Sequence, residues 1–236
     1  MNNKTDTGFF TFPQWEGIPS LVHGFGKRGW TGACFDKIKE FRNLKRIFLK
    51  QIHSNRFHVI TKIPRTPPEG DALLTDKPGI LLVIKTADCL PVLILDKDNR
   101  AVAAVHCGWR GTSQRIIQHV VAGMERCFGS RPENLWVGLG PHIRSTCYEV
   151  GAELPVAFEH AGLPLNVFTR LAGKPGKFLL DLKKANFLQL MDTGVKEAHI
   201  VFNDICTHCQ PDLASFRRDK KKAGRMLNFI GFNKMI

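Results

Sequence analysis

The sequence predicts a mixed α and β fold in a single domain spanning residues 1–236, and three observations lead to this prediction. Four runs of apolar, mostly β-branched residues are continuous, as in strands covered on both faces: 79–86, 91–95, 101–105 and 135–139. Two other segments have the spacing of amphipathic helices. No internal repeat, low-complexity tract or Ser/Gly linker divides the chain, whose 236 residues suffice for one large domain.

The strand-like runs at 91–95 and 101–105 are separated by the polar turn 96–100. Two strands joined by so short a turn pair as an antiparallel hairpin. Because the continuous runs also suit parallel strands covered on both faces, we expect the sheet to be mixed.

Apolar residues at helical spacing predict a helix that contains Ile116, Ile117, Val120, Val121 and Met124. Thr112 or Ser113 is the expected N-cap, and Gly129 lies just beyond the expected end. A second helix is expected over residues 182–191, before a strand-like segment at 198–202.

The chain is strongly basic, with 34 Lys and Arg residues against 21 Asp and Glu residues and a net charge of +13. This balance suits nucleic acid, an acidic membrane surface or a phosphorylated small molecule. Residues 216–236 include seven basic side chains against Asp219 alone, and we interpret this segment as a solvated surface that keeps the protein soluble. No RNA-recognition, zinc-finger or helix-turn-helix signature accompanies the charge, so no specific nucleic-acid partner is predicted.

Neither a membrane nor the secretory pathway is indicated. The longest apolar stretches, 80–84 and 90–95, are separated by Lys85 and Asp88 and are far shorter than the roughly 20 residues of a membrane helix. Residues 1–6 lead into a Phe-rich segment without a signal-peptide core or cleavage site, so a cytoplasmic location is expected. The seven cysteines, an odd number, are expected to be reduced thiols.

Three side chains that bind metals lie at the ends of predicted strands. His53 precedes a strand-like run, Cys89 lies between two strands, and His106 lies where a strand enters a helix. Such positions are held by a rigid sheet but face an open edge. Two imidazoles and one thiolate leave a fourth position free, which is typical of catalytic zinc and keeps the ion a useful Lewis acid. The alternative is two packed histidines and a buried thiol.

Two further cysteine motifs are candidates for chemistry. Cys206-Thr207-His208-Cys209 has two thiols at zinc-like spacing with a histidine between them, but it is a half-site that needs distant ligands. Cys147 would be a nucleophile if it paired with His142. The alternative is an ordinary buried thiol, because nothing in the sequence indicates a group that would lower its pKa.

Two arginines and two carboxylates are candidates for binding and catalysis. Arg110 lies just before the first expected helix, where a guanidinium and backbone amides bind anions such as phosphate. Arg28 lies in the glycine-rich segment 24–29, which also fits a flexible turn. Asp71 and Asp88 are near the proposed ligands and could orient an imidazole or act as a base. The sequence leaves open which carboxylate has which role.

Seven segments form an ordered pattern over nearly the whole chain: Gln51-Ile52-His53-Ser54, Gly70-Asp71-Ala72, Ala87-Asp88-Cys89-Leu90-Pro91, His106-Cys107-Gly108-Trp109-Arg110-Gly111, Leu139-Gly140-Pro141, Cys147-Tyr148-Glu149-Val150-Gly151 and Ser215-Phe216-Arg217-Arg218-Asp219. Together they resemble the YfiH or laccase-domain family. The resemblance implies an α+β fold, a layered α/β/β/α sandwich with mixed β-sheets. It also implies a zinc-dependent purine nucleoside phosphorylase that acts on adenosine, inosine and methylthioadenosine and deaminates adenosine.

The resemblance places the metal on His53, Cys89 and His106. Because this ligand set and its charge favour Zn²⁺ and no further strong site is seen in the sequence, about one zinc ion per chain is expected. Asp88 and Arg110 are then the expected catalytic residues, and Arg28 and Arg110 are expected to bind substrate, with phosphate as the group they hold. The expected partners are purine nucleosides and phosphate, without a membrane or a specific nucleic acid. The sequence does not indicate an oligomeric state.

Two departures from the family pattern affect these expectations. The N-terminal region is compressed, with Lys27-Arg28-Gly29-Trp30 in place of the usual pattern. Cys107 stands where the family commonly has alanine, next to the expected ligand His106. Because successive residues of a strand face opposite sides, Cys107 is expected to face away from the metal.

Two other enzyme classes, a multicopper oxidase and a peptidoglycan-editing hydrolase, compete with a nucleoside phosphorylase as interpretations of the sequence. A multicopper oxidase needs roughly ten histidines for its type 2 and type 3 coppers, typically in His-x-His repeats. The chain has nine histidines and no His-x-His, so the sequence excludes laccase activity. The alternative function is a hydrolase that edits peptidoglycan precursors, since the same metal site could cleave an amide or an ester.

Overall fold

The computed structural model describes residues 8–234. The expectation about residues 1–6 therefore lies outside the described residues. Within the part of the chain that is described, no helix is long and apolar enough to cross a membrane.

The strands, in chain order, are β1 (Phe9–Phe10), β2 (Leu21–Gly26), β3 (Lys45–Phe48), β4 (Phe57–Val59), β5 (Ala72–Thr75), β6 (Ile80–Thr86), β7 (Leu90–Asp96), β8 (Ala101–Cys107), β9 (Trp136–Leu139), β10 (Glu149–Gly151), β11 (Phe168–Arg170), β12 (Lys177–Leu180), β13 (Ile200–Phe202) and β14 (Met226–Phe232). The α-helices are α1 (Gly32–Lys37), α2 (Trp109–Ser113), α3 (Ile116–Phe128), α4 (Glu153–His160), α5 (Leu182–Asp192) and α6 (Phe216–Asp219).

These strands form two large sheets and one small sheet. The first large sheet has the order β1-β2-β14-β6-β3, the second has the order β13-β9-β7-β8-β5-β4, and the small sheet is β10-β12-β11. The pairs β3 with β6, β4 with β5, and β9 with β13 are parallel. Their other neighbours pair in antiparallel fashion. Both large sheets are therefore mixed, as predicted.

The two large sheets pack face to face because their strands are apolar on both sides. On β6, Leu82 and Ile84 face the second sheet, whereas Leu81 and Val83 belong to a separate cluster on the outer face. This alternation is the period of two that a β-strand imposes. Leu93 of β7 lies in the same core between the sheets.

Helices cover the outer faces of both sheets. Ile117 and Val120 of α3 and Leu182 of α5 pack in the outer core of the second sheet. Phe35 of α1 packs with Phe229 of β14 on the outer face of the first sheet. The order helix, sheet, sheet, helix confirms the layered α/β/β/α sandwich.

The predicted hairpin is also confirmed, since β7 and β8 are antiparallel neighbours with Val92 opposite Val105. β6 and β9 match the predicted strands at 79–86 and 135–139, and α3 and α5 match the two predicted helices. The antiparallel hairpin positions the metal-site residues at its open end, because Cys89 precedes β7 and His106 is near the end of β8.

The predicted N-cap of α3 is wrong. Thr112 and Ser113 belong to the separate helix α2, and the N-cap of α3 is Arg115, whose φ of 60° interrupts the helical backbone. Thr112 is instead buried, and its hydroxyl bonds to the side chain of Asn186 on α5. Gly129 ends α3 in the left-handed conformation with a φ of 68°, as expected.

Candidate metal centre

His53, Cys89 and His106 meet at one end of the sandwich. His53 lies in the loop from β3 of the first sheet to β4 of the second, and Cys89 lies in the turn from β6 of the first sheet to β7 of the second. His106 lies near the end of β8. The nitrogen and sulfur atoms that could bind a metal all lie within 4.8 Å of one another. The structure therefore brings together the three predicted metal ligands.

A buried carboxylate, that of Asp71, holds two of these residues in place. Its Oδ1 accepts a hydrogen bond from the His53 amide at 3.1 Å and lies 2.8 Å from His106 Nδ1. Its Oδ2 accepts hydrogen bonds from the Ser54 amide at 2.6 Å and the Ser54 hydroxyl at 2.8 Å. Asp71 thus fixes both the orientation of the His106 ring and the course of the loop that contains His53.

The electrostatic environment of this cluster favours a cation. Burial raises the pKa of Asp71, but hydrogen bonds from His106 and Ser54 outweigh it and lower that pKa to about 2. Burial lowers the pKa of His106, but Cys89 and Asp71 outweigh it and raise that pKa to about 9. Burial and the charge of His106 lower the pKa of His53. The groups that favour a proton on His106, the Cys89 sulfur and the Asp71 carboxylate, would also attract a metal cation.

Gln51 attaches the same loop to the first sheet. Its Nε2 donates a hydrogen bond to the Lys85 carbonyl, and its Oε1 accepts one from the Lys85 amide, both at 2.8 Å. The side chain therefore satisfies backbone groups of β6 as a neighbouring strand would. The loop that contains His53 is held to the first sheet by Gln51 and to the second sheet by Asp71.

The backbone takes unusual conformations where the three residues meet. His53 has a φ of 57° and Asp88 a φ of 85°, which non-glycine residues rarely adopt away from functional sites. A Cβ atom on Gly108 would lie 3.0 Å from His53 Nδ1 and 3.2 Å from Cys89 Sγ, so a larger residue would press on these two groups. Two imidazoles and a thiol around this space fit a borderline-soft ion such as Zn²⁺.

The cluster opens into a cavity of about 580 Å³. Basic and aromatic or apolar side chains line most of it: Lys85, Arg110, Arg217, Lys220, Arg225, Leu49, Trp109, Ile143, Tyr148 and Phe216. Among the lining residues that the structure describes, Asp88 is the one carboxylate. The volume suits a small-molecule ligand, and the excess of positive charge suits an anionic one.

Asp88 reaches the cavity wall, but both of its carboxylate oxygens have partners. Oδ1 accepts a hydrogen bond from the Thr207 hydroxyl at 2.7 Å, and Oδ2 accepts one from the Arg217 amide at 2.6 Å. Asp88 therefore joins the turn before β7 to the C-terminal segment that forms another wall. These contacts give Asp88 a positioning role, and its expected catalytic role stays a prediction.

Of the two arginines expected to bind substrate, Arg110 lines the cavity and Arg28 does not. Arg110 is exposed near the start of α2 and lies over the Trp109 ring at 4.5 Å. Arg28 follows β2 outside the set of cavity-lining residues, and its guanidinium lies 3.0 Å from the Asp219 carboxylate. The expected contact of Arg28 with substrate therefore stays a prediction.

The interpretation of residues 216–236 as a solvated surface requires correction, because Met226–Phe232 form the fully buried strand β14. Four residues before this strand line the cavity: Phe216, Arg217, Lys220 and Arg225. The feature of the sequence that could have indicated a binding surface here is the aromatic residue Phe216 next to a cluster of basic residues. Lys85 and Tyr148 were also not predicted as site residues. Their local sequence gives no sign of the packing that brings them near His53.

The remaining cysteine predictions have different outcomes. Cys107 is fully buried in the outer core of the second sheet and faces away from His106, as expected. Cys147 does not pair with His142, which is buried with its Nδ1 3.0 Å from the Gly140 carbonyl. The Cys147 Sγ instead lies 3.4 Å from the Cys209 Sγ.

The fold and site together define an α+β protein with a candidate catalytic metal centre in a basic cavity. Residues 35–233 match the family described as multi-copper polyphenol oxidoreductase laccase. The chain belongs to this family, the YfiH or laccase-domain family that the sequence motifs indicated.

Relatives in this family are similar in sequence and in structure. The chain is 38% identical over 198 residues to a purine nucleoside phosphorylase of Clostridium acetobutylicum, covering 82% of this chain and 80% of that protein. It is 39% identical over 161 residues to adenosine deaminase RL5 of an unknown prokaryotic organism, covering 68% of this chain and 61% of that protein. The crystal structure of the Bacillus licheniformis hypothetical protein YfiH matches with a TM-score of 0.86 and 25% identity, covering 97% of this chain and 98% of that chain.

Asp71→Asn is expected to weaken Zn²⁺ binding by about 10–100-fold, because an amide holds the His106 ring less firmly than a carboxylate does. Competition with a chromophoric chelator measures the affinity. Asp96→Asn is the matched control, since Asp96 is also buried and accepts amide hydrogen bonds from Asp98 and Asn99, but at the other end of β7. Wild-type zinc affinity in Asp71→Asn would contradict the role given to Asp71.

Proposed function

We propose that this chain is a zinc-dependent purine nucleoside phosphorylase that acts on adenosine, inosine and methylthioadenosine, and that it also deaminates adenosine. The observation that supports this most is that the cluster of His53, Cys89 and His106 opens into a basic cavity. The names of the relatives, purine nucleoside phosphorylase and adenosine deaminase, support the same two activities.

His53, Cys89 and His106 are the residues that would hold the zinc ion. Two imidazoles and one thiolate leave a fourth position free, as in catalytic rather than structural zinc sites. When bound, zinc supplies a Lewis acid in the cavity. Because Asp71 engages Nδ1 of His106, Nε2 is the nitrogen that this ring presents to a metal.

The basic side chains of the cavity suit phosphate. Arg110, Lys220 and Arg225 line it, and a guanidinium binds two phosphate oxygens at once and so orients the ion. The five basic side chains of the lining outweigh the single negative charge of Asp88, whose two oxygens already accept hydrogen bonds from Thr207 and the Arg217 amide. Holding phosphate near the ribose is the main demand of phosphorolysis, because orientation supplies much of the rate.

The aromatic side chains of the cavity suit a purine nucleoside. Phe216 is 51% exposed, which is high for a large apolar side chain and leaves its ring available for stacking. Trp109 provides a second aromatic surface next to Arg110. Burial and the charge of Cys89 raise the pKa of Tyr148, so its phenol stays protonated and can donate a hydrogen bond to the substrate.

The two activities place different demands on these residues. In phosphorolysis a phosphate oxygen bonds to C1′, the glycosidic electron pair leaves with the purine, and the purine takes up a proton. In deamination water replaces the amino group of adenosine, and no phosphate takes part. Arg110 should therefore matter more for the first reaction than for the second.

We also propose that residues 1–236 form one catalytic domain that works in the cytoplasm. The family match over residues 35–233 covers the whole second sheet and three strands of the first, β3, β6 and β14, which supports one domain. All seven cysteines are free thiols in the structure, which suits a reducing compartment.

The proposed function is tested by inosine and adenosine turnover with and without phosphate. Inosine should release hypoxanthine only when phosphate is present, with one ribose 1-phosphate for each base. Adenosine should also yield inosine without phosphate. Zinc-loaded protein that does neither, or that releases free ribose, would contradict the proposal.

Cys89→Ala is expected to lose zinc and to lower turnover by more than about 100-fold, since even residues that only orient a ligand cost about 10–100-fold. Cys107→Ala is the matched control on β8, because Cys107 is buried in the outer core. It should keep its zinc and cost about 1 kcal/mol or less of unfolding free energy. Zinc analysis measures the metal content of the two variants, and urea denaturation measures their free energy of unfolding. If Cys107→Ala lost the zinc and Cys89→Ala kept it, the ligand set would be wrong.

Arg110→Ala is expected to lower kcat/KM for phosphorolysis by about 100-fold and for deamination by about tenfold or less, because only phosphorolysis must hold a free anion. Steady-state assays of both reactions on one preparation measure this. Arg131→Ala is the control, since Arg131 is exposed, pairs with Glu133 and does not line the cavity. Equal losses of both activities in Arg110→Ala would indicate a structural role instead.

A further inference from the structure

A second cluster of metal-binding side chains lies beside the cavity, on two segments that are far apart in the sequence. Cys147 ends the 3₁₀ turn Ser145–Cys147, whereas His208 and Cys209 lie in the connection between β13 and α6. The metal-binding atoms of these three residues lie within 4.8 Å of one another. Cys147 therefore supplies a distant ligand of the kind that the half-site at 206–209 needs.

Cys206 is the fourth candidate ligand. Its Sγ lies outside the group of three whose metal-binding atoms are within 4.8 Å of one another, so its side chain would have to turn toward a common ion. Cys206 is buried and lies three residues before Cys209. Its Sγ accepts a hydrogen bond from the Arg144 amide at 3.5 Å. A backbone amide that donates to sulfur stabilises the thiolate, the form that binds a metal.

We propose that Cys147, Cys206, His208 and Cys209 bind a second Zn²⁺ ion and that this second site is structural. Three thiolates and one imidazole complete the tetrahedral coordination of zinc and leave no position for a substrate. The site therefore differs from the open cluster around His106. The inference goes beyond the proposed nucleoside chemistry and does not depend on it.

The composition of the cluster favours a metal over a disulfide. The Cys147 and Cys209 sulfur atoms are 3.4 Å apart, so these two thiols could also be joined by oxidation. A disulfide would leave His208 and Cys206 unused, whereas the Cys-x-x-Cys spacing with an added histidine and a third cysteine is a complete zinc ligand set. Cys209 is exposed, which gives a metal ion access from solvent.

A metal at this second site would join two walls of the cavity. Tyr148, the residue after Cys147, lines the cavity. Thr207, inside the half-site, donates its hydroxyl to Asp88, and its carbonyl accepts a hydrogen bond from Arg218 at 2.8 Å. The second zinc would therefore hold the segment before Tyr148 against the loop that positions Asp88.

The second site is tested by the zinc content of full-length variants purified with a reductant. The wild type should contain about two zinc ions per chain, and Cys209→Ser, His208→Gln and Cys89→Ala should each contain about one. Cys127→Ser is the matched control and should keep both, because Cys127 is an exposed thiol on α3 outside the two clusters.

Cobalt substitution identifies which site is filled, because each cobalt–thiolate bond adds near-ultraviolet absorption and a tetrahedral ion has strong visible bands. Cobalt in Cys89→Ala should show the spectrum of a tetrahedral site with several thiolates, and Cys209→Ser should lose most of that absorption. One zinc ion in the wild type and none in Cys89→Ala would overturn the proposal even if Cys209→Ser did not fold. A Cys147 to Cys209 disulfide in the non-reduced wild type, found by mass spectrometry, would also overturn it.

Discussion

The candidate active site depends on the hydrogen bonds of one buried carboxylate, that of Asp71. A fully buried carboxylate is stable only when its oxygens are well supplied with donors, because its hydration is lost. The donors come from the loop at 52–54 and from the His106 ring, which belong to distant parts of the chain. The hydrogen bonds that stabilise the Asp71 carboxylate therefore also fix the positions of two metal-binding residues, His53 and His106.

The layered fold explains why the third metal-binding residue, Cys89, lies beside His53 and His106. The chain crosses from the first sheet to the second in the loop before β4 and again in the turn before β7, and the two crossings lie at the same end of the sandwich. Each crossing includes a residue with a left-handed backbone, His53 or Asp88. Asp88 also joins this end of the sandwich to the C-terminal segment through Thr207 and Arg217. The cavity walls are therefore held by the two crossings between the sheets and by the hydrogen bonds of Asp88, and not by one sheet alone.

Local patterns in the sequence predicted the features that depend on neighbouring residues. The hairpin of β7 and β8, the helices α3 and α5 and the outward direction of Cys107 follow from spacing and from the alternation of a strand. Family motifs predicted the grouping of His53, Cys89 and His106, which spacing alone did not.

The features that were missed depend on long-range packing. Phe216 and Arg225 reach the cavity because the C-terminal segment packs beside the turn at Asp88, a long-range contact that an aromatic residue next to a basic cluster does not by itself specify. For the same reason, no local pattern predicts that Cys147 lies next to Cys209. The start of α3 was misplaced because the left-handed residue Arg115 splits one helical pattern into two helices.

Anomalous diffraction at the zinc absorption edge, from crystals of the purified protein, tests the central claim most directly. The account predicts a peak at about 2.0–2.3 Å from His106 Nε2, from the Cys89 sulfur and from a ring nitrogen of His53. It also predicts that His106 Nδ1 stays bonded to Asp71 in that crystal. Active, zinc-containing protein with no peak among these three residues would contradict the account.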